Sequence, residues 1–199
     1  AGDRRALLVP SGTRGAALLG LVRSVRAEHP ELAPRVIVGD AAGEATLRRA
    51  LAGDEPELWV AGETVLAPRL QAVGAGAAVE LPATAVITGG GGIGRVLARH
   101  LVTRRGVTDL TLVARRAVDD ELAAELRGLG ARVRVVAADV ADRDAVARVF
   151  AAVPAGAVVV FHLAGVRRDG LFGEQDEAAV DEVLAPKLDG ARALVEVLV

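Results

Sequence analysis

The chain has no cysteine, no methionine and no tyrosine, and its aromatic content is one tryptophan and three phenylalanines in 199 residues. Without thiols it forms no disulfide and presents no thiolate to a substrate or metal. The three histidines, His29, His100 and His162, are scattered without the spacing of metal ligands, and acidic runs such as Asp119-Asp120-Glu121 suit the positive end of a helix, so no metal is expected. Ser11 and Ser24 are the only serines, and neither sits in the G-x-S-x-G turn of a serine hydrolase. A net charge of −2, with acidic and basic residues intermixed, offers no basic face for a phosphate backbone, and the few aromatics offer little base stacking. Nucleic acid is therefore excluded as an expected partner. No uninterrupted apolar run reaches the length of a membrane span, and Ala1-Gly2-Asp3-Arg4-Arg5 does not lead into a signal-type apolar segment. The expectation is a cytoplasmic chain with no membrane partner. The missing initiating methionine adds the expectation of a piece of something longer.

What is present is an apolar majority, 52% of residues, enough for one or two substantial cores. The most informative stretch is Thr84-Ala-Val-Ile-Thr88, a β-branched run that stops on Gly89-Gly-Gly-Gly-Ile-Gly94 and enters a helical pattern. Gly89, Gly91 and Gly94 satisfy G-x-G-x-x-G, with Thr88 ahead of the loop and Gly92 and Ile93 inside it. Such a loop lets backbone N–H groups approach a pyrophosphate lying on the positive end of the next helix. Strands expected over 83–88, 109–113, 132–137 and 157–162 alternate with helices over 93–105, 119–129 and 141–151. Short connections between such units impose parallel pairing with right-handed crossovers, hence an α/β, Rossmann-like, doubly wound parallel sheet. Polar starts such as Asp142 and Thr108 and stops such as Gly128 and Gly130 punctuate it. A last helical stretch, from about Glu177 to Val199, carries Pro186 at a turn or kink, and the chain ends where such a sheet still needs strands.

Cofactor choice in dinucleotide folds is made about twenty residues past the loop, where an acid holds a ribose hydroxyl or arginine accepts a 2′-phosphate. Here the strand ends in Ala114-Arg115-Arg116, and two guanidiniums favour NADP(H). Among 24 basic residues Lys187 is the single lysine, either a place where a planar guanidinium cannot replace a compact ammonium or an ordinary surface cation. Residues 1–80 form a separate region: strand 6–9, helix 14–28, strand 34–38, helix 44–52 and a hairpin near 57–66 turning at Gly62. Trp59 there is expected in a core or interface. Gly74-Ala-Gly-Ala-Ala78 has the composition of a linker.

The glycine loop, Leu112-Val-Ala-Arg-Arg116, Ala138-Asp-Val-Ala-Asp142, Phe161-His-Leu-Ala-Gly-Val166 and Leu184-Ala-Pro-Lys-Leu-Asp-Gly-Ala191 together resemble the ketoreductase domain of type I modular polyketide synthases, within the short-chain dehydrogenase/reductase superfamily. Through Ala17–Ser24 and Glu28-His29-Pro30 the first region is similar to that family's structural subdomain, a degenerate nucleotide fold without cofactor, of which it is part. The resemblance divides the chain into 1–80, structural, and 81–199, NADP(H)-binding and stopping before the family's serine and tyrosine. It implies Asp139 and Val140 beside the adenine, Ala164 and Gly165 on the ribose and nicotinamide side, and Lys187 as the catalytic lysine that lowers the tyrosine's pKa. Asp139 is equally suited to a turn or helix cap. The implied reaction is NADPH-dependent reduction of a 3-ketoacyl thioester on an acyl carrier protein, among neighbouring polyketide synthase domains. Two departures stand out. Thr88 to Gly94 is one residue shorter than the family's T-G-x-x-x-G-x-G, and Arg167-Arg168-Asp169 replaces the Leu-Asp-Asp of reductases giving the B-type D-hydroxyl, keeping the final acid Asp169 for stereocontrol. With the absent tyrosine, the short loop leaves open a non-catalytic reductase-like scaffold or a bare cofactor-binding fragment. A different dehydrogenase on the same fold is a third reading, against which Pro186-Lys187 and the attached first region count.

Overall fold

The computed structural model describes residues 6–9, 13–39, 43–77, 79–116 and 120–199. Ser11 and Asp119 lie outside them. The chain divides into two compact units, Ala1–Ala75 with Gly170–Glu174, and Gly76–Asp169 with Gln175–Val199.

The first unit is a four-stranded sheet in the order β1-β2-β3-β4, from β1 (Ala6–Val9), β2 (Arg35–Val38), β3 (Glu57–Ala61) and β4 (Thr64–Leu66), with α1 (Thr13–Glu28) and α2 (Glu44–Ala52) as connections. The first three strands are parallel, and β4 returns antiparallel through Gly62, whose φ of 59° only glycine adopts without strain. Strand β2 is buried on both faces: Val36 and Val38 pack with Val9, Leu19 and Val22, while Ile37 packs with Ala50 and Leu58. Arg35, 6% exposed, places its guanidinium on the carbonyls of Ala50, Leu51 and Glu55 at 2.8 to 3.0 Å and so satisfies the C-terminal end of α2. Trp59 is not in the core. It is 40% exposed, because the pleat turns Leu58 inward in its place.

The second unit is a four-stranded parallel sheet in the order β7-β6-β5-β8, from β5 (Thr84–Thr88), β6 (Asp109–Ala114), β7 (Arg132–Ala137) and β8 (Val158–His162). In chain order this is 3-2-1-4, the arrangement of a Rossmann-like sheet with its switch point between β5 and β8. On one face α3 (Gly92–Arg104) and α4 (Asp120–Gly128) cover Ala85, Ile87, Leu110 and Leu112 through Ala98, Leu101, Leu122 and Leu126. On the other, α5 (Arg143–Ala151) sets Val149 against Val86 and Val113, and α7 (Gly190–Leu198) closes on Val146 through Ala193 and Leu194. Burial from both sides explains why β5 and β6 are largely apolar on both faces rather than alternating, with Thr88 and Thr111 buried among the apolar residues. At the edge, β8 is half-buried along its length.

Asp142 caps α5, accepting from the N–H groups of Asp144 and Ala145 at 2.9 and 3.1 Å, and Asp176 caps α6 (Glu177–Leu184) through Ala179 N–H at 2.8 Å. Thr108 starts no helix. Its N–H donates to the Ala83 carbonyl and leads directly into β6. At the amino ends of the strands Asp109, 2% exposed, is held by Arg132 at 2.9 Å and Arg134 at 2.5 Å, a structural clamp at the end opposite the glycine loop.

Candidate active site

The carboxyl ends of all four strands of the second unit converge. Register pairs Thr88 with Val113 on one side and with His162 on the other, and Ala114 with Ala137 beyond. Backbone bonds continue past the strands: Gly89 N–H to the Val113 carbonyl, Leu163 N–H to the Thr88 carbonyl, and Ala138 N–H to the Ala114 carbonyl. The loops that follow must therefore emerge side by side. Between them lies an open cleft of about 390 Å³, lined by Gly89, Arg115, Ala138, Asp139, Val140, Ala164, Gly165 and Pro186. Six of the residues singled out in the sequence thus share one cavity wall.

The glycine loop has two kinds of glycine. Gly89 has a φ of 98°, and a Cβ on it would meet the Leu163 carbonyl carbon at 2.6 Å; a Cβ on Gly94 would overlap the Gly89 carbonyl oxygen. These two let the loop fold on itself and against β8. Gly91 and Gly92 have open space where a Cβ would be, and Gly91 has an ordinary φ of −74°. Gly91 forms the N-cap of α3 with no side-chain hydrogen bond, so among the described residues no capping side chain covers the first N–H groups of that helix. Ile93 is 75% exposed.

Arg115 reaches the cleft, whereas Arg116, also exposed, does not line it. Neither guanidinium has an ion-pair partner among the described residues, which leaves Arg115 available to an anion. Asp139 does close a turn, its Oδ1 accepting the Ala141 N–H at 2.9 Å, and it also lines the cleft. Val140, which lines the cleft as well, is buried. Lys187 does not line the cleft, but its stem runs beside it: a Cβ on Gly165 would lie 3.4 Å from Lys187 Cε. Lys187 sits in a π-helical turn, Ala185–Asp189, between α6 and α7, where the sequence indicated only a kink at Pro186. Asp169 is exposed at the end of the segment after β8 and is not in the cleft.

One participant was given no role in the sequence beyond its place in the Phe161-His-Leu-Ala-Gly-Val166 stretch. His162, at the end of β8, receives Thr88 Oγ1 at 2.6 Å on Nδ1 and places Nε2 2.9 Å from the Pro186 carbonyl oxygen. The sequence placed it at a strand end, and its link to Thr88 follows only from the topology: in a 3-2-1-4 sheet the last residues of the first and fourth strands are neighbours.

Residues 83–199 match the family model for the KR domain, and residues 4–70 match that for the Rossmann fold domain of the polyketide synthase extender module SpnB. The chain belongs to the ketoreductase domains of polyketide synthases. It is 40% identical over 196 residues to the spectinabilin polyketide synthase system protein NorA′ of Streptomyces orinoci, covering 91% of this chain and 5% of that protein. It is 48% identical over 125 residues to erythronolide synthase EryA2 of Saccharopolyspora erythraea, covering 60% and 4%. Among solved structures, an A-type ketoreductase from a modular polyketide synthase superposes with a TM-score of 0.82 at 32% identity, covering 98% of this chain and 47% of that one. A C2-type ketoreductase does so at 0.81 and 27%, covering 96% and 47%. The chain therefore spans about half the length of the ketoreductases it superposes on and a few per cent of the synthases. The ketoreductase cleft lies where open α/β sheets bind ligands, outside the carboxyl ends of the strands at the switch point. No helix among the described residues is long and apolar enough to cross a membrane.

Proposed function

We propose that this chain supplies the cofactor-binding part of an NADPH-dependent ketoreductase that reduces a 3-ketoacyl thioester, carried on an acyl carrier protein, to the 3-hydroxyacyl product. Residues 1–80 act as a structural subdomain without cofactor and residues 81–199 as the NADP(H)-binding subdomain. The observation that carries this reading is the cleft that gathers Gly89, Arg115, Asp139, Val140, Ala164 and Gly165 at the switch point.

The residues present fit a dinucleotide. Gly91 and Gly92 leave room over the uncapped start of α3 for a pyrophosphate, with Thr88, Gly89, Ile93 and Gly94 shaping the loop around it. Arg115, with Arg116 beside it, offers an unpaired guanidinium for a 2′-phosphate. Asp139 and Val140 flank the adenine, and Ala164 and Gly165 the ribose and nicotinamide side. When bound, the nicotinamide supplies hydride. Lys187, along the wall at Gly165, contributes the positive charge that lowers the pKa of a proton-donating phenol. The chain has no tyrosine, so in this reading that donor comes from outside these 199 residues. Asp169, the acid kept after Gly165, favours the B-type D-hydroxyl product; chiral analysis showing the L-hydroxyl from the intact protein counts against that assignment.

Titration with NADPH tests the reading: affinity in the micromolar range or tighter supports it, and absence of binding leaves the scaffold, which the short loop favours. Arg115→Ala should lower the preference for NADPH over NADH by about 1–3 kcal/mol, roughly 5- to 150-fold, as loss of charge-assisted hydrogen bonds implies. Arg116→Ala, outside the cleft wall, should lower it less. An unchanged NADPH/NADH ratio in the double variant refutes the phosphate role.

A further inference from the structure

We infer that His162 is a positioning residue: its ring ties the strand end that launches the glycine loop to the π-helical turn that carries Lys187, and so sets where Lys187 stands at the cleft. The inference deepens the reading above, from which it takes the role of Lys187.

The hydrogen-bond chemistry is directional. A carbonyl oxygen only accepts, so the 2.9 Å contact to Pro186 requires the proton on Nε2. In the neutral ring Nδ1 is then an acceptor, and the Thr88 hydroxyl donates to it across 2.6 Å. Each end of this bridge is anchored. Thr88 is 1% exposed and is the last residue of β5, immediately before Gly89. Pro186 is buried and immediately precedes Lys187. The ring therefore joins two residues that are each one position from a residue of the site.

Packing holds the ring in place. A Cβ on Gly190 would come within 3.3 Å of His162 Cε1 and 2.9 Å of Val140 Cγ2, so the backbone at the start of α7 lies directly on the imidazole and on a cleft residue. The turn itself is wider than an α-helical one, Gly190 N–H bonding the Ala185 carbonyl, and Pro186 has no N–H to contribute. Removing the Nε2 donor leaves the Pro186 carbonyl without this partner and frees the turn to shift, with Lys187 on it.

The test exploits the rarity of lysine. Reductive methylation with ¹³C-formaldehyde labels Lys187, the only lysine of these 199 residues, and Lys187→Arg identifies its NMR resonance in the intact protein. Glutamine carries an amide nitrogen at the level of Nε2 and asparagine one at the level of Nδ1, so the two variants separate the Pro186 bond from the Thr88 bond. In cofactor-free protein at neutral pH, His162→Gln should leave the resonance within a line width of wild type, while His162→Asn and His162→Ala move it by more than a line width. The NADPH Kd should rise about tenfold in His162→Asn and His162→Ala and little in His162→Gln. A resonance unmoved in both His162→Asn and His162→Ala overturns the inference, as does a His162→Gln displacement equal to that of His162→Ala. If wild type shows no response to NADPH, the cofactor reading fails, and the cofactor-free displacements still decide the role of His162.

Discussion

The glycines of the loop divide by what surrounds them, and that division makes opposite predictions for substitutions two residues apart. An added methyl at Gly94 overlaps the Gly89 carbonyl oxygen, so Gly94→Ala should cost about 1–3 kcal/mol of stability as overpacking does and should also displace the loop. Thermal unfolding and NADPH titration should both worsen. Gly92 opens α3 into empty space, and alanine is the better helix former there. Gly92→Ala should therefore leave the melting temperature unchanged or raised while weakening NADPH, because the methyl occupies the approach to the helix start. Loss of stability in Gly92→Ala, or retained affinity in Gly94→Ala, contradicts the division. The sequence motif treats all these glycines alike, since spacing records only where side chains are missing. Which of them the backbone requires depends on what the fold brings within reach. The same holds for Arg115 and Arg116, adjacent in sequence but with only the first on the cleft wall.

Helix ends and docking faces set the next level. Asp142 and the start of α6 at Glu177 were legible because caps and first turns are local chemistry. The π-helical turn was not, since a proline signals a break without specifying its geometry. Gly190→Ala tests that junction: with Val140 Cγ2 at 2.9 Å from the new methyl, the Val140 side chain or the start of α7 must shift, and a loss of about 1–3 kcal/mol is expected in chemical denaturation. In the first unit Arg23 on α1 grips Glu57 on β3 through two bonds of 2.6 and 2.7 Å. These bonds hold the Glu57 carboxyl below the usual carboxylate range. A depressed native pKa gives stability that is present above the unfolded value of about 4.3 and is lost as pH falls through the native one. Arg23→Ala should therefore be less stable than wild type near neutrality, with the gap closing below about pH 4. Trp59, two residues from Glu57 on the same strand, reports it by fluorescence. A gap that persists in acid assigns the contact to packing of the arginine stem instead.

Across the whole chain, apolar contacts form separate cores. Val9, Val36 and Ile37 belong to the first unit, and Ile87, Leu110, Leu126 and Val146 to the second. The chain crosses between units more than once: Gly170–Glu174 belongs to the first, and Phe172 N–H donates to Glu28 at 2.7 Å. Since Trp59 is the only tryptophan, urea unfolding followed by its fluorescence reports the first unit, whereas far-UV circular dichroism reports both. Non-coincident midpoints are expected, and a single shared transition would mean that the two cores unfold as one.

Element types and their order were already written in the residues. β-branched runs, helical periodicity, aspartate caps and a glycine loop act over a few positions, and right-handed crossovers turn the alternation into a parallel sheet. Where Trp59 points, which arginine reaches the cleft and which glycines the backbone needs were settled by strand register and helix docking. The link from Thr88 through His162 to Pro186 spans 74 and 24 residues of sequence. No local pattern encodes such a contact, because it exists only once β5 and β8 pair in register and the start of α7 lies against His162.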